Sequence, residues 1–216
     1  MHIPDGFLSV ATAAATYAAS GASVAYGARR ASAQLSDRQV PLMGVSAAFI
    51  FAAQMLNFHV VAGTSGHLLG GALVAILLGP WAGMLVMTSV LAVQALLFQD
   101  GGLLALGANV FNMAVVGVLV GYVAYRGLSR LLGRERLGLY GAGFAAGWLS
   151  VVVASLSAAA ELAVSGTATW EVVVPAMGGV HALIGIGEGL ITVGVLVFLS
   201  ATRPDLVRLA NREVTS

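Results

Sequence analysis

The chain opens MHIPDGFLS, which sets a histidine directly behind its first residue. A terminal amine, the amide nitrogen of residue 2 and Nδ1 of His2 can close two fused chelate rings on one metal ion. The first ring has five members and the second six, so Met1 and His2 together offer three nitrogens in one plane. An amide nitrogen is a ligand only when deprotonated, a step that Ni(II) and Cu(II) promote far better than Zn(II) or Mg(II). A fourth nitrogen completes a square plane, the geometry associated with Cu(II) or Ni(II). Pro4 lacks an N–H and stiffens the backbone after Ile3, which helps such a hook keep its shape.

A source for the fourth nitrogen lies in QMLNFHVVAGTSGHLLGG, where His67 follows a Gly-Thr-Ser-Gly loop and is expected to open the third helix. Gly63 and Gly66 permit close backbone approach, and Thr64 and Ser65 carry polar groups able to fix the tautomer of a neighbouring imidazole. Spacing alone leaves two readings of His67 open, a metal ligand or a histidine cap on a helix–loop–helix turn. His59, in the same loop, reads as a solvated residue ahead of a metal scavenger. His181 and Glu188 are seven residues apart and share one face of the last helix. Ionisable groups inside a span are rare and point to function by default. Ser65, His181 and Asn57 are therefore carried as outer supports of the site. The pairs Gln54/Asn57 and Asn109/Asn112 should order the loops around it. Asp5 and Asp100 either raise the local negative potential for an arriving cation or are merely solvated.

The elements that must position these groups are membrane helices. Of 216 residues, 59% are hydrophobic and 9% charged, against about 25% charged in ordinary globular chains. Mean hydropathy is +0.94. A chain so poor in charge must take lipid as its solvent, and its 28 glycines suit close helix packing there. The net charge of +1 excludes a polyanion-binding surface, so nucleic acid is no expected partner. Cysteine is absent, which removes disulfides and thiolate metal sites.

Apolar runs near bilayer length place helices near 8–28, 41–57, 67–79, 80–98, 109–126, 138–163 and 173–200, with Gly79-Pro80 ending the short third one. The expectation is an all-α polytopic membrane protein, one transmembrane domain over 1–216 with seven spans, residues 1–9 forming the hook. Arg29, Arg30 and Arg38 follow the first helix, Arg126, Arg130, Arg134 and Arg136 the fifth, and Arg203, Arg208 and Arg212 the seventh. Seven spans put all three clusters on one side, which the positive-inside rule makes cytoplasmic. The N-terminus is then outside and the C-terminus cytoplasmic. Asp5 and the lack of Lys or Arg before the first helix argue against a cleaved signal peptide.

MHIPDGFLS, GTSGHLLGG, FQDGGLLALGANVFNM and GVHALIGIGEGLIT together resemble the CbiM/NikM family, the substrate-capture subunits of nickel and cobalt energy-coupling-factor transporters. The resemblance runs from Met1 to about residue 200. It implies that the N-terminus folds back into an outer pocket and that metal is held by the terminal amine of Met1, the amide and side chain of His2, and His67. A seven-helix fold in a prokaryotic inner membrane is implied as well. So are partners: a transmembrane coupling subunit, two cytosolic ATPase subunits and a small accessory membrane subunit. No tightly bound cofactor is implied, since Ni(II) or Co(II) is cargo. The PDG after MHI looks more like the nickel branch. One departure is NFHVVAGTSGH, where His59 and Val61 replace prolines of the family pattern and Ala62 a glycine.

Two other classes fit the sequence less well. An intramembrane hydrolase would need H-E-x-x-H, which is absent, or a Ser65/His67 dyad, which is poorly spaced for general-base catalysis. A stand-alone secondary metal transporter usually carries paired repeats and midplane carboxylates, and Glu188 is the only deep acidic candidate read here. The chain has no G-x-x-x-x-G-K-[ST] motif, so energy from ATP would have to come from partners.

Overall fold

A computed structural model describes residues 1–35, 39–60, 63–133 and 136–206. Val61, Ala62, Arg38, Arg134, Arg208 and Arg212, which entered the loop and orientation arguments, lie outside the described residues. The described chain is helical apart from its loops and one two-stranded hairpin. Helix α1 is Val10–Gln34 and α2 is Gln39–Gln54. Strands β1 (Phe58–His59) and β2 (Ser65–Gly66) pair antiparallel, with His59 opposite Ser65.

Gly71–Leu97 is broken by non-helical backbone at Gly79 (φ 79°, ψ 168°). The pieces are α3 (71–78) and α4 (80–97), and Pro80 suits the first turn of α4 because its missing N–H is unpaired there anyway. The break is a sharp fold-back. A Cβ on Gly83 would lie 3.2 Å from the nitrogen of Ala75, whereas eight residues along a straight helix span about 12 Å. Helix α5 is Leu106–Leu131, with a π-helical stretch over Val110–Gly117. Arg136–Val164 forms α6 and Trp170–Thr202 forms α7.

Among the described residues there are seven helical segments where seven membrane spans were expected, and one start differs. The third was expected to begin at His67 but begins at Gly71. Glu188 of α7 accepts the amide protons of Leu69 and Gly70 at 2.8 and 2.6 Å, and the Leu69 carbonyl accepts from Gln54. With those backbone groups taken, and Gly70 in the left-handed region (φ 81°), residues 67–70 run as an irregular strap.

Small residues set the packing. A Cβ on Gly147 of α6 would sit 3.1 Å from the Cα of Gly189 on α7, so these backbones touch at their crossing. A Cβ on Gly121 of α5 would approach the Cα of Ala72 on α3 to 2.7 Å. Helices α3, α4 and the start of α5 form the centre, with α1, α2 and α6 around it and α7 packed on α6. Among the described residues, Leu106–Leu131, Gly138–Val164 and Trp170–Thr202 are each long and apolar enough to cross a membrane, and Gly71–Leu97 is so by length and composition when taken across its break at Gly79. The chain is a multi-pass membrane protein.

Hydrogen bonds gather the N-terminal segment, the hairpin, the 98–105 loop and the α6–α7 turn at one end. The Thr167 hydroxyl donates to the Phe7 carbonyl and Tyr17 to the Leu103 carbonyl. Arg29, Arg30, Arg126, Arg130 and Arg203 lie toward the other ends of their helices.

Candidate metal site at the folded-back N-terminus

Residues 1–3 are not a tail. Met1 and Ile3 are fully buried, and His2 is 3% exposed. Asn109, in the first turn of α5, holds Ile3 as a strand would: Oδ1 accepts from the Ile3 amide at 2.8 Å and Nδ2 donates to its carbonyl at 3.1 Å. Asp5 accepts the amide protons of Leu103, Leu104 and Ala105 at 2.7–3.2 Å, pinning the segment to the 98–105 loop. The approach is tight enough that a Cβ on Gly102 would collide with the Asp5 carboxyl group.

Ser65 receives the hook. Its carbonyl accepts from the Met1 amine, and its Oγ lies 3.2 Å from both that amine and the His2 amide nitrogen. The His2 and His67 rings are 4.6 Å apart between centroids and inclined by 30°. Met1, His2, Ser65 and His67, separated by more than 60 residues in sequence, are therefore brought together.

The tautomers of both rings follow from fixed acceptors. The Leu69 carbonyl can only accept, so the Gln54 side-chain nitrogen donates to it (2.7 Å) and Gln54 Oε1 accepts from Gln94 (3.0 Å). That orients Gln94 Oε1 toward His2 Nε2 at 3.2 Å, placing the proton there and leaving Nδ1 a bare lone pair. His67 Nδ1 donates to the Leu68 carbonyl at 2.7 Å, which leaves Nε2 bare. His2 Nδ1 and His67 Nε2 are both buried without a hydrogen-bond partner. Outer groups holding one ring nitrogen so that the other is free are a usual arrangement around metal-ligating histidines.

Burial controls the charge of these groups. Desolvation lowers the amine of Met1 from 8.0 to about 4, partly opposed by Asp100. Burial and the nearby amino terminus lower His2 to about 3. His67 is held well below its ordinary value by burial, the amino terminus and His2. At neutral pH the pocket thus contains an uncharged amine and two uncharged imidazoles, the protonation states in which nitrogen donates to a metal. Among the described residues no three His, Cys, Asp or Glu side chains converge to hold a metal.

The other residues anticipated from sequence fall at different distances. His181 is buried on α7, donates from Nδ1 to the Met177 carbonyl at 2.8 Å, and leaves Nε2 unpartnered. It stands within electrostatic reach of His67 and the amino terminus. Asn57 is exposed and reaches the hook only through Asp100, donating to Oδ2 at 3.2 Å. His59 is exposed, as expected of a solvated residue. Asn112 does not serve the hook: it donates to Glu161 of α6 at 2.7 Å. Gln94 and Glu161 were missed. Gln94 sits inside a long apolar helix, and that polar residue in an apolar run was the signal available.

The same arrangement of helices occurs in a solved structure, the crystal structure of a truncated transition metal transporter. It superposes with a TM-score of 0.86 at 35% identity over 94% of this chain and 99% of that one. A chain from Archaeoglobus fulgidus is 46% identical over 209 residues, covering 96% of this chain and 68% of its own length. The fused nickel transport protein NikMN of Rhodobacter capsulatus is 36% identical over 225 residues, 96% of this chain and 64% of that protein. The family model described as the cobalt uptake substrate-specific transmembrane region matches residues 2–206, and the chain belongs to that family, CbiM.

Proposed function

We propose that this chain is the substrate-capture subunit of an energy-coupling-factor transporter, taking up Ni(II) ahead of Co(II) at the outer face of a prokaryotic inner membrane. Four nitrogens hold the cargo: the amine of Met1, the deprotonated amide and Nδ1 of His2, and Nε2 of His67. The observation that carries this reading is the pair of buried, unpartnered ring nitrogens beside a buried amine, each ring turned the right way by a fixed acceptor. Two fused chelate rings and one further nitrogen favour a square plane, which suits d⁸ Ni(II) better than Co(II). Ser65 and Gln94 position the donors. His181 stands behind them.

In this reading all seven helices belong to the membrane domain, with the hook outside and the arginine-bearing ends cytoplasmic. ATP is hydrolysed by two cytosolic partner subunits, acting through a transmembrane coupling subunit and a small accessory subunit. Ala11, Ala15 and Ala19, with Ala14, Ala18 and Ala22, form stripes that are exposed along α1 and suit close docking of the coupling subunit. A hydrolase is disfavoured, because Ser65 Oγ faces the hook and His67 Nε2 has no partner. A carrier working alone would keep its uptake when the ATPases are deleted.

The test is titration of purified protein with Ni(II) and Co(II), with stoichiometry and absorption recorded. One equivalent of nickel with a planar four-nitrogen spectrum, lost in His67→Ala, is expected. Nickel bound with an octahedral spectrum, or bound equally by His67→Ala, would contradict the donor set.

A further inference from the structure

The donor set leaves a charge unaccounted for. A neutral amine, two neutral imidazoles and one deprotonated amide carry a single negative charge between them, so a bound divalent ion leaves a centre of +1. Burying a net charge is unfavourable unless an opposite charge lies close. Met1 and His67 are 0% and 1% exposed, so water does little of this work.

Asp100 is placed to supply that charge. Its Oδ1 lies 3.4 Å from Nδ1 of His2. Because Nδ1 carries no proton, this is not an ion pair: two lone pairs face each other, an arrangement that a cation lying beside both improves. The carboxylate is 17% exposed while His2 is 3% exposed, so Asp100 stands between the hook and the surface. Other carboxyl groups nearby are occupied elsewhere, Asp5 by three backbone amides and Glu188 by two.

The backbone is bent to put Asp100 there. Gln99 has φ 54°, a left-handed conformation that a residue with a Cβ adopts at a cost, and Gly101 has φ 89°. Gly101 also has no room to spare: a Cβ there would lie 2.8 Å from Nδ2 of Asn109 and 3.2 Å from Cδ2 of His2. The Asp100 amide donates to the Gln94 carbonyl at 3.1 Å, and Asn57 holds the outer oxygen. So the residue that orients His2 through its side chain fixes Asp100 through its main chain.

From this geometry we infer that Asp100 is the counter-charge of the loaded hook, a carboxylate beside the donor nitrogens and not one of the four. The inference rests on the metal-hook reading and adds a residue to it. A carboxylate at the mouth both draws in a hydrated dication and offsets the positive charge that remains once the hook has closed on it.

The experiment compares nickel affinity and absorption spectra of the wild type, Asp100→Asn and Asp100→Glu, each purified in detergent at low and high salt. Asparagine keeps the size of the side chain, but with its oxygen on Asn57 its amide nitrogen can donate to His2 Nδ1, so Asp100→Ala, which has neither charge nor donor, is measured beside it and must weaken binding as well. Asp100→Asn should bind one equivalent at least about tenfold more weakly, with its planar absorption band unchanged and its metal-free melting temperature near that of the wild type. Asp100→Glu should recover part of the loss, and added salt should weaken the wild type more than Asp100→Asn. Equal affinity for wild type and Asp100→Asn would overturn the inference, as would a changed band, which would put Asp100 in the plane. If the wild type itself binds no nickel, the hook reading fails first, which separates the two failures.

Discussion

Replacing Glu188 by alanine should uncouple the His67 strap from α7. The carboxyl group accepts from the amides of Leu69 and Gly70 at 2.8 and 2.6 Å, and it is 3% exposed. Alanine leaves both N–H groups without an acceptor in a place water reaches poorly. Each orphaned donor costs about 1–3 kcal/mol, so roughly 2–6 kcal/mol is lost from the docked conformation of the strap. At about 1.4 kcal/mol per tenfold, the lower end alone corresponds to a fall in nickel affinity of up to about thirtyfold. Glutamine keeps one acceptor oxygen and should lose about half of that free energy. The assay is competition against a chelator of known affinity, run beside thermal melting of the metal-free protein to separate site loss from global unfolding. Affinity within about threefold of wild type in Glu188→Ala would refute the reasoning, because residues 67–70 would then hold their place without α7.

Gln94→Leu should weaken nickel binding by about 1–3 kcal/mol, since the proton on His2 Nε2 loses its acceptor; the same chelator competition checks it. Glu161→Gln should be close to neutral in a melting experiment because an amide can pair with Asn112, whereas Glu161→Ala should be destabilising. Acid should release the hook. The Met1 amine titrates near 8.0 when undocked and near 4 when buried, so the undocked state binds more protons between these values and docking weakens as pH falls from about 8 toward 4. Above this window binding should release about one proton per nickel, that of the His2 amide, measurable by calorimetry in buffers of different ionisation enthalpy. Ala18→Trp should impair co-purification of the coupling subunit while sparing nickel affinity.

How much of this was legible in the sequence depends on how far apart the cooperating residues lie. The chelate proposed for Met1 and His2 involves only adjacent bonds, so the sequence suggests it without a fold. Seven helical segments followed from apolar runs and from Gly79-Pro80, because helix length and breakage are local properties. The start of the third was misjudged because the group that holds residues 69 and 70 out of the helix is Glu188, 119 residues away. Spacing alone left His67 open between ligand and cap, and the resemblance proposed it as a ligand; which of its nitrogens is free is decided by the contact of its ring with the Leu68 carbonyl, which sequence does not show. The orientation of His2 was out of reach. It runs from the Leu69 carbonyl through Gln54 and Gln94, which stand on different helices. Asp100 read equally well as a solvated loop carboxylate, and only the turn between Gln99 and Gly101 aims it at His2.

The most direct test of the central claim is to move the amine. Two residues placed before Met1 shift His2 to fourth place, where amine, amide and imidazole no longer close the same fused rings. A one-residue extension would mislead, since a histidine in third place can fill a square plane with its own amine, two amides and imidazole. Both the native and the two-residue-extended protein would be titrated with Ni(II) while absorption is recorded. A planar one-to-one nickel complex is expected for the native protein and its loss in the extended one. An unchanged affinity and spectrum after extension would contradict the claim, because the metal would then be held without the chain's own free end.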